Sequence, residues 1–90
     1  MLYAAKCYWP AVTPLEVERA ARLADRQGDG YVGSLLFRAD GLVLCFFSAT
    51  SPAAVRRAAE QAGMPCERVM ASQWLASSVS ERTTRCASSD

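Results

Sequence analysis

An α+β fold of order βαββαβ follows from three features of this chain. Two helix starts each carry a capping residue followed by proline, four runs of strand-forming residues surround them, and an Asp40-Gly41 turn joins the middle two runs. This is the split βαβ arrangement of ferredoxin-like domains, with a four-stranded antiparallel sheet. Right-handed crossovers put the first and third strands at the sheet centre and the second and fourth at its edges.

The first strand is read over residues 2–9, an aromatic-rich run stopped by Pro10. Thr13 then caps a helix, Pro14 suits its first position, and Glu16 completes a capping box. Leu15, Val17, Ala20, Ala21, Leu23 and Ala24 recur at helical spacing, and Gly28-Asp29-Gly30 ends the helix. Residues 31–38 and 42–48 form the predicted hairpin. Ser51-Pro52 opens the second helix, Gly63 stops it, and Pro65 prevents its continuation. Residues 67–75 read as the fourth strand. The domain is expected to span residues 1–76, and the Ser-, Thr- and Arg-rich residues 77–90 are expected to form a flexible tail.

Composition narrows the function. Apolar residues make up 51% of the 90, enough for a core, and ten basic against nine acidic side chains leave a net charge of +1. That balance argues against a nucleic-acid binder and offers little attraction to an anionic membrane. No apolar run approaches the roughly 20 residues that span a bilayer. The opening residues do not resemble a secretory leader, so a cytoplasmic protein with reduced thiols is expected. Histidine is absent, which removes the commonest metal ligand and general base. Cys7, Cys45, Cys66 and Cys86 are too far apart for a CxxC pair.

Both helices are expected on one sheet face, leaving the other uncovered. Leu36, Leu44, Phe46, Met70 and Trp74 lie on predicted strands, and several of them must fall on that side. An exposed apolar face marks an interaction surface. The economical cover is a second copy, giving a homodimeric α/β barrel with a lumen between the sheets. Lys6, the one lysine of the chain, is assigned to the lumen because burial beneath helices would be costly. A desolvated lysine suits a general base or an anion anchor, and Tyr8, two residues on, shares its face as a proton donor. Ser34, Arg38, Phe46 and Ser48 complete the candidate ligand-binding set, polar points in an apolar pocket. Cys45, with Cys7 on the neighbouring strand, is an inert apolar residue, a soft metal site or half of a redox pair.

The run from Cys45 through Ser51-Pro52 to Ala62-Gly63-Met64-Pro65-Cys66 resembles the signature of a small, mainly bacterial family of domains of unknown function. Tyr8-Trp9-Pro10, Val12-Thr13 and residues 31–34 resemble it too, so the likeness covers roughly residues 2–75. Some members are described as nickel-binding. The resemblance implies the ferredoxin-like protomer, a homodimer, and nickel as an alternative cofactor through Cys45 and Cys7. It also exposes departures: Lys6, Ser48 and Ala71 stand where relatives tend to be acidic. The expected function is therefore cofactor-independent binding of a small apolar, polyketide-like metabolite, or its cyclisation or isomerisation by proton transfer. Metal binding and a non-catalytic dimeric interaction module are the alternatives.

Overall fold

A computed structural model describes residues 1–76. The elements are β1 (Leu2–Tyr8), α1 (Pro14–Arg26), β2 (Tyr31–Phe37), β3 (Leu42–Ser48), α2 (Pro52–Gln61) and β4 (Cys66–Ser72), with a 3-10 turn at Arg38–Asp40. All strand pairs are antiparallel, and the order is β2-β3-β1-β4. The predicted element order and central pair are thus present. The expected tail, residues 77–90, lies outside the described residues.

Local chemistry explains the elements. The Thr13 hydroxyl accepts from the Glu16 amide at 3.2 Å, and the Glu16 carboxylate accepts from the Thr13 amide at 2.9 Å, closing the capping box. The Ser51 hydroxyl accepts from the Ala54 amide at 3.2 Å and starts α2 in the same way. Gly30, with φ of +81°, turns the chain into β2 so closely against Ser48 that a side chain would collide with the Ser48 carbonyl.

The core lies between the helices and one sheet face. Tyr3, Ala5 and Cys7 of β1 and Val43, Cys45 and Phe47 of β3 meet Val17, Ala20 and Ala24 of α1 and Val55, Ala58 and Ala59 of α2. The alanines let the helices sit close to the sheet. Phe47 is fully buried and meets the Tyr31 ring edge-on, with centroids 5.7 Å apart. Among the described residues, no helix is long and apolar enough to cross a membrane.

Several boundaries differ from expectation. β1 ends at Tyr8, and Trp9 turns under to pack against the core. The second strand stops at Phe37, so Arg38 leaves the sheet in the 3-10 turn that Gly41 closes with φ of +60°. β4 ends at Ser72, which leaves Trp74 73% exposed beyond the strand, not on the sheet.

Candidate functional site

The face of the sheet opposite the helices is bare in the protomer. Register fixes its members, because directly opposed residues of neighbouring strands share a face. Lys6 lies between Leu44 of β3 and Arg68 of β4, Ala4 between Phe46 and Met70, and Tyr8 opposite Leu42, which in turn opposes Phe37. Leu35 extends the row beyond Leu44. The surface is apolar, with Tyr8, Leu35 and Phe37 exposed by 58%, 53% and 40%.

Charge is confined to one patch of it. The Lys6 ammonium lies 3.7 Å from a Glu67 carboxylate oxygen, with both side chains partly exposed. Arg68 opposes Lys6 directly across the ladder. A register shift between Lys6 and Cys7 inserts Glu67 as an extra residue in β4, which lets its side chain reach Lys6. Two cations and one carboxylate therefore lie in this patch, leaving an excess positive charge in an apolar surround.

The expected site residues divide into groups. Lys6, Tyr8 and Phe46 lie on the open face as expected, and Leu44 and Met70 line it with them. Ser48 is on that face opposite Leu2, but four residues along β3 from Leu44, roughly 13 Å at strand rise. Arg38 stands exposed just past Phe37, outside the strands. Ser34 is a correction. It opposes Cys45 and points toward the helices, so it cannot join Lys6 in a lumen. Leu36 opposes Val43 and turns inward with it. The edge strand β2 is apolar on both sides, so its alternation does not say which side is buried.

Ser34 belongs to a second, internal constellation. Its hydroxyl lies 2.7 Å from the Tyr31 phenol oxygen and donates to the Cys45 sulfur at 3.2 Å. A register shift between Tyr31 and Gly33 brings Tyr31 and Ser34, three residues apart, onto the same side. Cys7 is fully buried beside Cys45, as the sequence suggested, and opposes Cys66 on its other flank. Proximity to Cys45, then burial, pushes the Cys7 thiol well above its ordinary range. Hydrogen bonds from Cys7 and Ser34 pull Cys45 down, against its burial, which acts the other way. Burial raises Cys66 and Tyr31. Sequence reasoning missed Glu67, Cys66 and Tyr31, which depend on the two register shifts, and Arg68, which opposes Lys6 in the unbroken part of the ladder.

Two shallow clefts, each of about 260 Å³, lie on the helix side. One is lined by Trp9, Glu16 and Leu23 and the other by Ala21, Asp25 and Tyr31. Neither involves the open face. Among the described residues, no three histidine, cysteine, aspartate or glutamate side chains are grouped to hold one metal ion.

A ferredoxin-like α+β domain with an apolar, weakly basic open sheet is the class these features define. Residues 8–71 match the family described as nickel responsive protein SCO4226-like, and the chain belongs to that family. Among solved structures, the crystal structure of SCO4226 from Streptomyces coelicolor A3(2) superposes with a TM-score of 0.71 at 18% identity, covering 84% of this chain and 100% of that one. At that identity the likeness carries the fold alone. No curated protein matches the chain.

Proposed function

We propose that this protein binds a small apolar molecule bearing one anionic group, held between the open sheets of two copies. The observation that carries the reading is the Lys6–Glu67 ion pair, with Arg68 opposite Lys6 across the ladder, inside an otherwise apolar face. An anion arriving there completes the charge balance, while Phe46, Leu44 and Met70 contact the apolar body. Four strands at about 4.8 Å spacing and seven residues at about 3.3 Å rise give a footprint of roughly 19 by 23 Å. That flat area of about 440 Å² is over half of the ~800 Å² per partner of a standard interface, and the relief of the side chains adds to it. A second copy therefore suits it as a cover.

A cyclase- or isomerase-type proton transfer at this site would fall to Lys6 and Tyr8. Glu67 engages Lys6 in an ion pair, so the geometry favours an anion anchor over an isolated amine base. Binding is the activity this arrangement supports best. The family description raises nickel as an alternative. Divalent nickel is held by several imidazole, thiolate or carboxylate donors together. The chain has no histidine, and the described residues group no three such donors, so the residues present do not fit that ion.

Titration with anilinonaphthalene sulfonate, an apolar aromatic anion, tests the reading. Saturable binding is expected, weakened about tenfold by Lys6→Met, the size of a 1.4 kcal/mol contact. Equal affinity in that variant, or stoichiometric heat with Ni²⁺ and no binding of the dye, would overturn it.

A further inference from the structure

The three described cysteines lie on three neighbouring strands, on the face that the helices cover, with Cys7 of β1 in the middle. Their registers differ in a way that decides their chemistry. Cys7 and Cys66 are direct cross-strand partners. Directly opposed antiparallel residues have Cα atoms about 4.5–5.5 Å apart, within the roughly 4.4–6.8 Å that a disulfide spans. Cys7 opposes Val43 on the other side, and Cys45 opposes Ala5, so Cys7 and Cys45 are diagonal neighbours. Diagonal pairs stand about 7–8 Å apart, beyond that span.

Access differs as well. Cys7 and Cys45 are 0% and 1% exposed, whereas Cys66 is only half-buried, at the start of the edge strand. The Arg56 guanidinium donates to the Cys66 and Glu67 carbonyls, both at 3.2 Å, and pins that start against α2. One partner thus meets solvent and the other waits behind it, so an oxidant reaches Cys66 first by access alone, its thiol being raised by burial, and Cys7 stands placed to resolve it.

We propose that Cys66 and Cys7 form a redox-responsive pair that closes to an intramolecular disulfide when the protein meets a peroxide. Cys66 loses its proton and attacks one peroxide oxygen, the O–O bond breaks, and the leaving hydroxide takes up that proton to become water. Cys66 is then a sulfenic acid. The Cys7 sulfur attacks the Cys66 sulfur, the S–O bond breaks, and a second water leaves with the Cys7 proton. The two sulfurs each give up one electron, and the peroxide takes both. The product ties edge strand β4 to central strand β1 and removes the thiol that borders Cys45. A reducing compartment reverses it, the usual character of disulfides in cytosolic proteins. This pair lies beneath the helices, so the inference is independent of the ligand reading for the open face.

Hydrogen peroxide treatment of the full chain carrying Cys86→Ser, followed by alkylation and peptide mass spectrometry, tests it. The expected product is one cross-link between the Cys7 and Cys66 peptides, two hydrogens lighter than their sum, with Cys45 still a thiol. Cys66→Ser, a change at a half-exposed site, must abolish the cross-link and leave Cys7 reduced. In Cys7→Ser, Cys66 is expected to accumulate as a sulfenic acid trapped by dimedone. Cys66 over-oxidised beside an intact Cys7 thiol, a link through Cys45, or a link between two chains would overturn the proposal.

Discussion

Leu44→Lys separates the proposed face-to-face pair from the fold of a single copy. Leu44 lies mid-strand on the open face, between Lys6 of β1 and Leu35 of β2. In a face-to-face pair each Leu44 is covered, a burial that stabilises by about 1.5–3 kcal/mol. The change occurs once per copy, so roughly 3–6 kcal/mol of association energy is lost. Desolvating two new ammonium groups adds several kcal/mol more against the dimer. Even the lower figure raises the dissociation constant by about 100-fold, at 1.4 kcal/mol per factor of ten. Within one protomer the same change only sets two ammonium groups opposite each other at partly exposed positions, costing about 1 kcal/mol or less. Sedimentation equilibrium should therefore find a dimeric wild type and a monomeric variant, with the circular dichroism spectrum nearly unchanged and the urea midpoint lowered only by the lost association. A variant that dimerises as tightly as the wild type, or a wild type monomeric at its highest soluble concentration, would refute the reasoning.

Three further outcomes follow from the protomer. Phe47→Ala removes a fully buried ring and its edge-on contact with Tyr31, and should lower unfolding free energy by about 3–5 kcal/mol in urea titrations; a loss below about 1 kcal/mol would place Phe47 outside the core. Gly30→Ala forces a side chain into left-handed backbone and onto the Ser48 carbonyl, so a loss exceeding the ~1–3 kcal/mol of backbone strain alone is expected in the same assay. Stability under reducing conditions should climb toward pH 9.0, the ordinary thiol value, and decline beyond it. The climb comes from Cys45, whose lowered value means that the fold sheds a proton that the unfolded chain still holds. Above the ordinary value, Cys7, Cys66 and Tyr31 keep protons that the unfolded chain loses, and the sign reverses. Urea midpoints that keep increasing through pH 10.0, the ordinary phenol value, would contradict this.

The two helices were legible because their ends carry local chemistry: Thr13, Pro14 and Glu16 fix one start, and Ser51 with Pro52 fixes the other. The sheet order followed from the chirality of the crossovers. Lys6 and Phe46 could be assigned to the open face because β1 and β3 alternate without interruption, as their unbroken pairing shows. Ser34 could not be assigned. It lies just past the irregularity at Tyr31/Gly33, on an edge strand apolar on both sides, where shifting by one residue exchanges the faces. The same limit hid the Lys6–Glu67 pair and the Cys7–Cys66 register, which depend on the extra residue in β4. Strand ends were overrun at Trp9, Arg38 and Trp74, because aromatic and long side chains continue the strand signal where the ladder has stopped.

Native mass spectrometry of protein purified without added metal or chelator bears most directly on the open face as a ligand site shared by two copies. A dimer carrying an organic adduct, lost together with the dimer in Leu44→Lys, is the result expected. A bare monomer, or a dimer whose added mass is nickel alone, would contradict it.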